Sequence, residues 1–226
     1  MKRSRINKVI TDMERMLKEH RFEVPPFVNF TPDEWRAKGQ EYDEIRENML
    51  GWDITDYGLD RFDEIGFALI TLRNGNLHKR EYKKPYAEKL LFLYEGQTSP
   101  LHFHWSKMED IINRGGNDVY ITVYNGEKDG SKLDTDVTVS CDGVKQTMSA
   151  GSKICLRPGM SITIPQYLYH DFMVPKTGGS VLLGEVSMCN DDCADNRFYD
   201  EMGRFPEIEE DEAPYRLLCN EYPPAP

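Results

Sequence analysis

Between about residue 66 and residue 190 the chain consists of short segments rich in Val, Ile, Leu, Thr and aromatic residues, separated by turn sequences. The segments include GFALITL, KLLFLY, DVYITVYNG, TDVTVSC, SKICL, MSITIP, HDFMV and SVLLGEVSM, and the turns include RNGN, CDG, RPG and KTGG. Asp142 and Gly143 separate two alternating segments, which is a hairpin signal. About eight short strands at this spacing predict an antiparallel sandwich or a small barrel.

The N-terminal part has a different pattern. Residues 2–19 place apolar side chains at helical spacing, which predicts an amphipathic helix that covers an apolar surface. In TPDEW, Thr31 can cap a second helix, Pro32 suits its first turn and Glu34 completes a capping box. The first fifty residues are therefore expected to be mostly helical.

These patterns divide the 226 residues into three parts of one domain. We expect a helical N-terminal extension at 1–65, a β barrel at 66–190 on which the extension packs, and an acidic, irregular C-terminal segment at 191–226. A chain of this length is long enough to bury one large core.

The net charge of the chain excludes one class of partner. The formal charge is -11, and no basic run offsets it, so a polyanion such as nucleic acid would be repelled. No stretch approaches the roughly 18 consecutive apolar residues that a membrane span needs. The N-terminus also lacks the apolar core of a signal peptide, and we expect a cytoplasmic protein.

The five cysteines are expected to be reduced thiols. Their number is odd, and no two of them form a C-x-x-C pair. Metal binding by Cys189 and Cys193 is disfavoured, because two thiols without nearby histidines make an incomplete ligand set.

A metal site is indicated by the spacing of the histidines. His102 and His104 are two residues apart, so their side chains share one face if the segment is a strand. Glu109 follows closely, and His170 stands at the start of a later strand. Two or three imidazoles and a carboxylate suit a divalent transition metal. The remaining histidines, His20 and His78, lie in polar surroundings and are expected at the surface.

The same residues resemble the first motif of the cupin superfamily. Gly96 is followed after five residues by His102-x-His104, after four more by Glu109, and later by Gly116. This order matches the cupin motif.

The second cupin motif is matched by Gly159, Pro165 and His170. Two positions depart from it: Tyr167 replaces the usual Gly and Val174 the usual Asn. These departures affect a turn and a rim position rather than the ligands. The resemblance implies a double-stranded β-helix, the jelly-roll barrel of cupins, with the helical extension added to it.

Longer segments resemble the D-lyxose isomerase family of cupin sugar isomerases. They are HFHWSKMEDIINRGG, GEVSMCNDDCADNRFY and EDEAPYRLLCNEY, and the similarity runs over nearly the whole chain. The resemblance implies interconversion of D-lyxose with D-xylulose and of D-mannose with D-fructose. It also implies a homodimer and one divalent metal per chain, usually manganese, with zinc, cobalt or iron as alternatives.

Aldose–ketose isomerisation needs a base beside the metal. The candidates for catalysis are Lys107, Glu109, Glu185 and Asp171. Lys107 lies inside the first motif, and Glu185 is a carboxylate in an otherwise apolar strand, where burial needs a partner. Asp171 follows a ligand directly, so it would face away from the metal in a regular strand.

Sugar hydroxyl groups require polar partners at the barrel mouth, where the C-terminal segment is expected. Glu212 and Arg216, four residues apart, would share a helical face there. Lys89 and Trp105 are further candidates for sugar binding. Apolar walls could come from Trp105, Tyr94 and Phe172, with core packing as the alternative, and Arg197 is expected to pair with acids in a structural turn.

The sequence favours proton transfer through a cis-enediol over a hydride shift. A hydride shift is helped by two metals, whereas the sequence offers one full ligand set and spare carboxylates. Two other functions stay open at this point: a cupin dioxygenase that uses iron, and a non-catalytic sugar-binding cupin.

Overall fold

The computed structural model of the protein describes residues 1–191, 194–203 and 205–226. Its helices are α1 (Arg3–Glu19), α2 (Pro32–Arg36) and α3 (Asp43–Glu47), with 3₁₀ turns at Pro26–Asn29 and Gln40–Tyr42. Its strands are β1 (Gly51–Thr55), β2 (Phe67–Arg73), β3 (Tyr86–Leu93), β4 (His102–His104), β5 (Glu109–Gly116), β6 (Val119–Asn125), β7 (Val137–Cys141), β8 (Val144–Met148), β9 (Lys153–Leu156), β10 (Ser161–Ile164), β11 (Leu168–His170), β12 (Val181–Met188) and β13 (Asn196–Phe198).

The strands of the described residues form two antiparallel sheets that face each other. The larger sheet has the order β1-β2-β3-β12-β5-β10-β7-β8, and the smaller one has the order β13-β4-β11-β6-β9. Apolar side chains from both inner faces make one core, which includes Leu91, Ile111, Val123, Ile162 and Leu183. Two antiparallel sheets around one core are the arrangement of the predicted cupin-type jelly-roll barrel.

Helix α1 covers the outer face of the larger sheet. Its buried residues Ile6, Ile10 and Met13 pack on Ile70 and Phe92, which point away from the barrel interior. The predicted amphipathic helix is therefore present and ends within one residue of its expected end. The capping box at Thr31 and Glu34 is also present, with both hydrogen bonds formed.

A buried carboxylate ties α1 to the sheet. Asp12 accepts hydrogen bonds from the Tyr94 hydroxyl and from Lys8 Nζ, each at 2.6 Å. Burial alone would raise the pKa of the Asp12 carboxyl, but the hydrogen bonds from Lys8 and Tyr94 outweigh it and lower the pKa. Asp12 therefore stays ionised in the folded protein.

The expected boundary at residue 66 differs from the observed start of the sheet. Strand β1 lies inside the predicted helical extension and pairs with β2 along its full length. Its sequence W-D-I-T alternates: Trp52 and Ile54 join the core under α1, while Asp53 and Thr55 point to the other face. The sheet thus begins at residue 51, because a five-residue alternating segment is enough for an edge strand.

The C-terminal segment also differs from the expectation. Strand β13 pairs with β4, whereas the later residues run along α1 and β1. Arg3 on α1 forms ion pairs with Glu210 and Glu221. Glu212 accepts a hydrogen bond from the Asn7 amide, and Arg216 Nε lies 3.2 Å from Glu14 Oε1.

The placement of Glu212 and Arg216 at the barrel mouth is thereby corrected. The segment around them is not helical, so their four-residue spacing does not put them on one helical face. Their contacts are with α1, which covers the outer face of the larger sheet. The acids of this segment are attracted to the basic N-terminus of α1 instead.

The remaining expectations concern cysteines, surface histidines and membranes. Four cysteines are free thiols, as predicted (Cys141, Cys155, Cys189 and Cys219), and Cys193 lies outside the described residues. His20 and His78 are exposed, as expected. Among the described residues there is no helix with the length and apolar character of a membrane span.

Candidate functional site

Three histidines converge on the inner face of the smaller sheet. His102 and His104 lie on β4, and His170 lies on the neighbouring strand β11, directly opposite His102 in the register. One ring nitrogen from each lies within 4.8 Å of the other two. All three side chains are buried. The antiparallel pairing therefore joins two distant parts of the sequence into one cluster.

Backbone carbonyls orient two of these rings. Nδ1 of His102 lies 2.9 Å from the Pro100 carbonyl oxygen, and Nδ1 of His170 lies 2.9 Å from that of Leu168. A carbonyl oxygen only accepts, so each Nδ1 must carry the proton. The Nε2 atoms are then left unprotonated with a free lone pair, which is the tautomer of a metal ligand.

Glu109, the first residue of β5, lies against this histidine cluster. Its Oε1 lies 3.4 Å from Nε2 of His104 and 3.2 Å from Nε2 of His170. Neither nitrogen makes a hydrogen bond within the described residues. Buried lone pairs that face one another repel unless a cation lies between them. Three imidazoles and one carboxylate fit a divalent transition metal.

The protonation states of these groups suit metal binding. Burial lowers the pKa of His102 well below its ordinary value, with further lowering from His170 and His104. Burial and the charge of Lys107 lower the pKa of His104. Burial alone would raise the pKa of the Glu109 carboxyl, but the charge of the Lys107 ammonium group holds this pKa well below its usual range. The site therefore offers neutral imidazoles at His102 and His104 and an anionic carboxylate at Glu109, the forms that ligate metals.

Lys107 links Glu109 to a second buried carboxylate, that of Glu185. Its Nζ lies 2.7 Å from Glu109 Oε2 and 2.9 Å from Glu185 Oε1. Glu185 comes from the inner face of β12 and also accepts a hydrogen bond from Ser187. Lys89, opposite Glu185 on β3, has its Nζ 3.7 Å from the same oxygen. These buried groups place two acids and two ammonium groups beside the histidines.

A cavity opens in front of the polar cluster. His102, His104, Lys107, Glu109, Glu185 and Lys89 line one side of it. Its other walls are formed by the side chains of Thr55, Tyr57, Phe67, Leu69, Leu91, Phe172, Asn196 and Phe198. A pocket with a few convergent polar groups and apolar walls is typical of a small-molecule site.

Comparison with known proteins decides the family. The family model described as D-lyxose isomerase matches residues 1–222 of the chain. The chain belongs to the D-lyxose isomerase family. A D-lyxose/D-mannose isomerase of Escherichia coli O157:H7 is 42% identical over 98% of each chain. The protein of the same name from Serratia proteamaculans is 43% identical over 98% of each chain.

Solved structures support the fold at lower identity. The L-ribose isomerase of Cellulomonas parahominis, solved with L-ribose, has a TM-score of 0.59 and 15% identity. The match covers 90% of this chain and 96% of that one. The L-ribose isomerase of Acinetobacter sp. DL28 has a TM-score of 0.58 and 13% identity, with the same coverage. Family membership makes the chain a sugar isomerase that interconverts aldoses and ketoses, which confirms that prediction over the two alternative functions.

Several residues that the sequence singled out lie elsewhere in this member of the D-lyxose isomerase family. Asp171 accepts a hydrogen bond from the Thr122 backbone N–H and does not line the cavity of the described residues. Trp105 packs on Phe103 and Tyr167, on the other side of β4 from the histidines. The reason in both cases is the alternation of side chains along an extended chain. Asp171 directly follows His170, and Trp105 directly follows His104, so each points away from the histidine before it.

Of the other aromatic residues expected at the cavity, one lines it and one does not. Phe172 lines the cavity, with its ring centroid 5.8 Å from that of His170. Tyr94 instead bonds Asp12 on α1, on the outer face of the sheet. Arg197 donates a hydrogen bond to the Phe198 carbonyl rather than to an acid in the contacts described.

Sequence reasoning about this D-lyxose isomerase family member missed several cavity residues. Thr55 belongs to β1, and the alternation of W-D-I-T was a signal that could have found it. Phe198 lies in the segment NRF, which reads as a turn until its pairing with β4 is known. Phe67 and Leu69 face the cavity along β2, where the sequence alone offers no reason to separate them from core residues.

Proposed function

We propose that the chain interconverts D-lyxose with D-xylulose and D-mannose with D-fructose, using one bound Mn²⁺. The metal ligands are His102, His104, Glu109 and His170. The observation that carries the proposal is the Lys107 ammonium group, which bridges two buried carboxylates beside the histidine cluster. When bound there, a divalent cation would supply Lewis-acid stabilisation of charge on the sugar oxygens.

Glu185 is the proposed base. Its carboxylate lies beside the cavity and outside the ligand set, so it is free to take a proton from one sugar carbon and return it to the next. One base that serves both carbons acts on a single face of the sugar, which requires a cis-enediol. Glu109 is the alternative base, but its Oε1 faces two imidazoles and its Oε2 contacts Lys107.

The two lysines have separate proposed roles. Lys107 lines the cavity beside Glu185, so its positive charge is placed to stabilise the negative charge that develops on a sugar oxygen. Lys89 reaches the same cavity from β3 and is proposed to bind a hydroxyl group of the sugar. The aromatic wall of Phe172 and Phe198 would cover the apolar face of the carbon chain.

The activity is tested by following ketose formation from D-lyxose and D-mannose after chelation and again after addition of Mn²⁺. Chelation should abolish turnover, and Mn²⁺ should restore it. In heavy water, deuterium should appear at C1 of the ketose or C2 of the aldose. Metal-free protein that isomerises at the full rate would contradict the metal-dependent reaction.

Glu185→Gln tests the base directly. The variant should lose turnover by roughly 10²- to 10⁴-fold, because a general base typically contributes that much. Its metal content should stay unchanged, since Glu185 is outside the ligand set. Glu88→Gln on the neighbouring strand, where Glu88 pairs with Arg73 at the surface, is the matched control. Full activity of Glu185→Gln would remove this residue from the mechanism.

We also propose that the protein is a cytoplasmic homodimer. Four large apolar side chains are exposed together at the ends of β3 and β12 and before β5: Tyr86, Met108, Val186 and Met188. Met188 lies opposite Tyr86, and its N–H donates to the Met108 carbonyl. Such a patch is typical of a protein interface. Light scattering on the purified protein measures the assembly, and a monomer at all concentrations would contradict it.

A further inference from the structure

We propose that Asp195 and Asn190 are positioning residues that hold Lys107 in its reactive place. Asp195 fixes the backbone of the segment that carries Lys107, and Asn190 fixes the ammonium group itself. The inference rests on the proposed function, in which Lys107 stabilises charge on the sugar. Both are proposed to act through the lysine.

Asp195 accepts hydrogen bonds from three successive backbone N–H groups. The N–H of Ser106 donates to Oδ1 at 2.7 Å, and the N–H of Lys107 donates to Oδ2 at 3.0 Å. The N–H of Trp105 donates to the Asp195 carbonyl oxygen at 3.1 Å. Asp195 is itself buried, with 9% of its surface exposed. Asp195 therefore accepts the N–H groups of the first three residues of the turn.

This turn connects two strands that both carry residues of the site. It joins His104, the last residue of β4, to Glu109, the first residue of β5, and Lys107 is in the middle. The strands position the two ends, but they do not determine the path between them. The backbone N–H of Lys107 is buried, and an unpaired buried N–H is costly, so this group requires a partner. The carboxylate of Asp195 supplies that partner and selects one conformation of the turn.

Asn190 acts on the other end of the lysine. Its side-chain oxygen accepts a hydrogen bond from Lys107 Nζ at 3.1 Å. An ammonium group has three donor hydrogens, and Glu109 and Glu185 are the other two acceptors described above. The neutral amide of Asn190 therefore gives the ammonium group a third acceptor and adds no negative charge beside the two carboxylates.

The backbone of Asn190 is held in turn by Asn74. The N–H of Asn190 donates to Asn74 Oδ1 at 2.9 Å, and Asn74 Nδ2 donates to the Asn190 carbonyl oxygen at 3.0 Å. Asn74 is buried, and its own carbonyl oxygen accepts a hydrogen bond from Asn48 Nδ2 at 3.2 Å. The support for the lysine thus extends through three asparagines to the end of α3.

The test is Asp195→Asn in the full-length, Mn²⁺-loaded enzyme. The amide has the same shape but offers one acceptor oxygen where the carboxylate offers two, so one N–H of the turn loses its partner. The kcat for D-lyxose should fall roughly 10- to 100-fold, as expected for misplacement of a catalytic group. The metal content should not change, and KM should change by no more than about twofold. Asp142→Asn is the matched control, since Asp142 also accepts a backbone N–H, that of Ser161, far from the cavity.

A double-mutant cycle with Lys107→Met separates positioning from a general structural role. If Asp195 acts through the lysine, Asp195→Asn should have no further effect on kcat in the Lys107→Met background. An equal effect in both backgrounds, or an unchanged kcat in the single variant, would overturn the inference. If Lys107→Met has no measurable turnover, the kcat of Asp195→Asn is compared with that of the Asp142→Asn control, and an equal kcat in these two variants would overturn the inference.

Asn190 has its own pair of variants. Asn190→Leu removes the acceptor for Nζ and should lower kcat, while Asn190→Asp keeps an acceptor but adds a negative charge and should lower kcat less. Equal loss in both variants would overturn the role of the amide oxygen. Hydrogen exchange of the peptide that contains residues 105–107 measures the stability of the turn independently of the catalysed reaction. Asp195→Asn should increase the exchange rate of this peptide. A wild-type protein that isomerises neither sugar would contradict the proposed function but leave this exchange result standing.

Discussion

Lys107→Met should destabilise the metal-free protein by about 3–5 kcal/mol, the range for breaking a buried ion pair by removing one partner. The Lys107 ammonium lies 2.7 Å from one carboxylate and 2.9 Å from the other. At an effective dielectric constant of about 20, each such pair attracts by roughly 5–6 kcal/mol. Desolvation of the ammonium group offsets part of this attraction. Met has a similar length, so the variant leaves Glu109 and Glu185 buried with less compensating charge.

The free energy of unfolding is measured by circular dichroism in denaturant with a chelator present. For a chain of this size about 2–4 °C of melting temperature corresponds to 1 kcal/mol, so the melting temperature should fall by roughly 6–20 °C. Mn²⁺ should stabilise the variant more than the wild type, because the cation restores positive charge beside Glu109. Lys153→Met, at an exposed position of β9, is the control. Equal stability of the metal-free variant and wild type would refute the reasoning.

Three further predictions follow from the contacts. His102→Ala should lose bound metal and turnover while its circular dichroism and cooperative melting persist, and an unfolded variant would mean that the site is chiefly structural. Asp12→Asn should lower the free energy of unfolding by about 1–3 kcal/mol at neutral pH. Because the folded-state pKa of Asp12 is lowered despite burial, this difference is present above the unfolded pKa of about 3.9 and should vanish as pH falls through the folded value. A difference that persists in acid would contradict the linkage. Arg216→Ala should leave KM for D-lyxose unchanged, since Arg216 bonds Glu14 on α1, and a large rise in KM would return it to the sugar site.

The strand content and its turns were predictable because they depend on local patterns. Alternation and turn residues marked the segments that became β2, β3, β6, β7, β9, β10 and β12, and helical spacing marked α1. The short strand β1 was missed, because five residues between helical turns and an aspartate-rich loop carry a weak signal. Strand β13 was missed for the same reason, and its pairing with β4 depends on distant residues.

The site was partly predictable from chemistry. His102 and His104 had to share a face if their segment was a strand, and the polar Glu185 in an apolar strand needed a buried partner. The structure supplies that partner as Lys107. Alternation also indicated that Asp171 would turn away from the histidines, and its hydrogen bond to Thr122 agrees with that reading.

The sequence by itself determined that His102 and His104 share one face of a strand and which family the chain resembles. The tertiary structure alone decided that His170 lies opposite His102 and that Asp195 caps the turn of Lys107. It also decided that the C-terminal acids bind α1 instead of the sugar cavity. The physical reason is the range of the interactions. Side-chain direction along a strand repeats every two residues and can be read locally, whereas strand register and the docking of a tail are set by hydrogen bonds and charges between residues that are far apart in the chain.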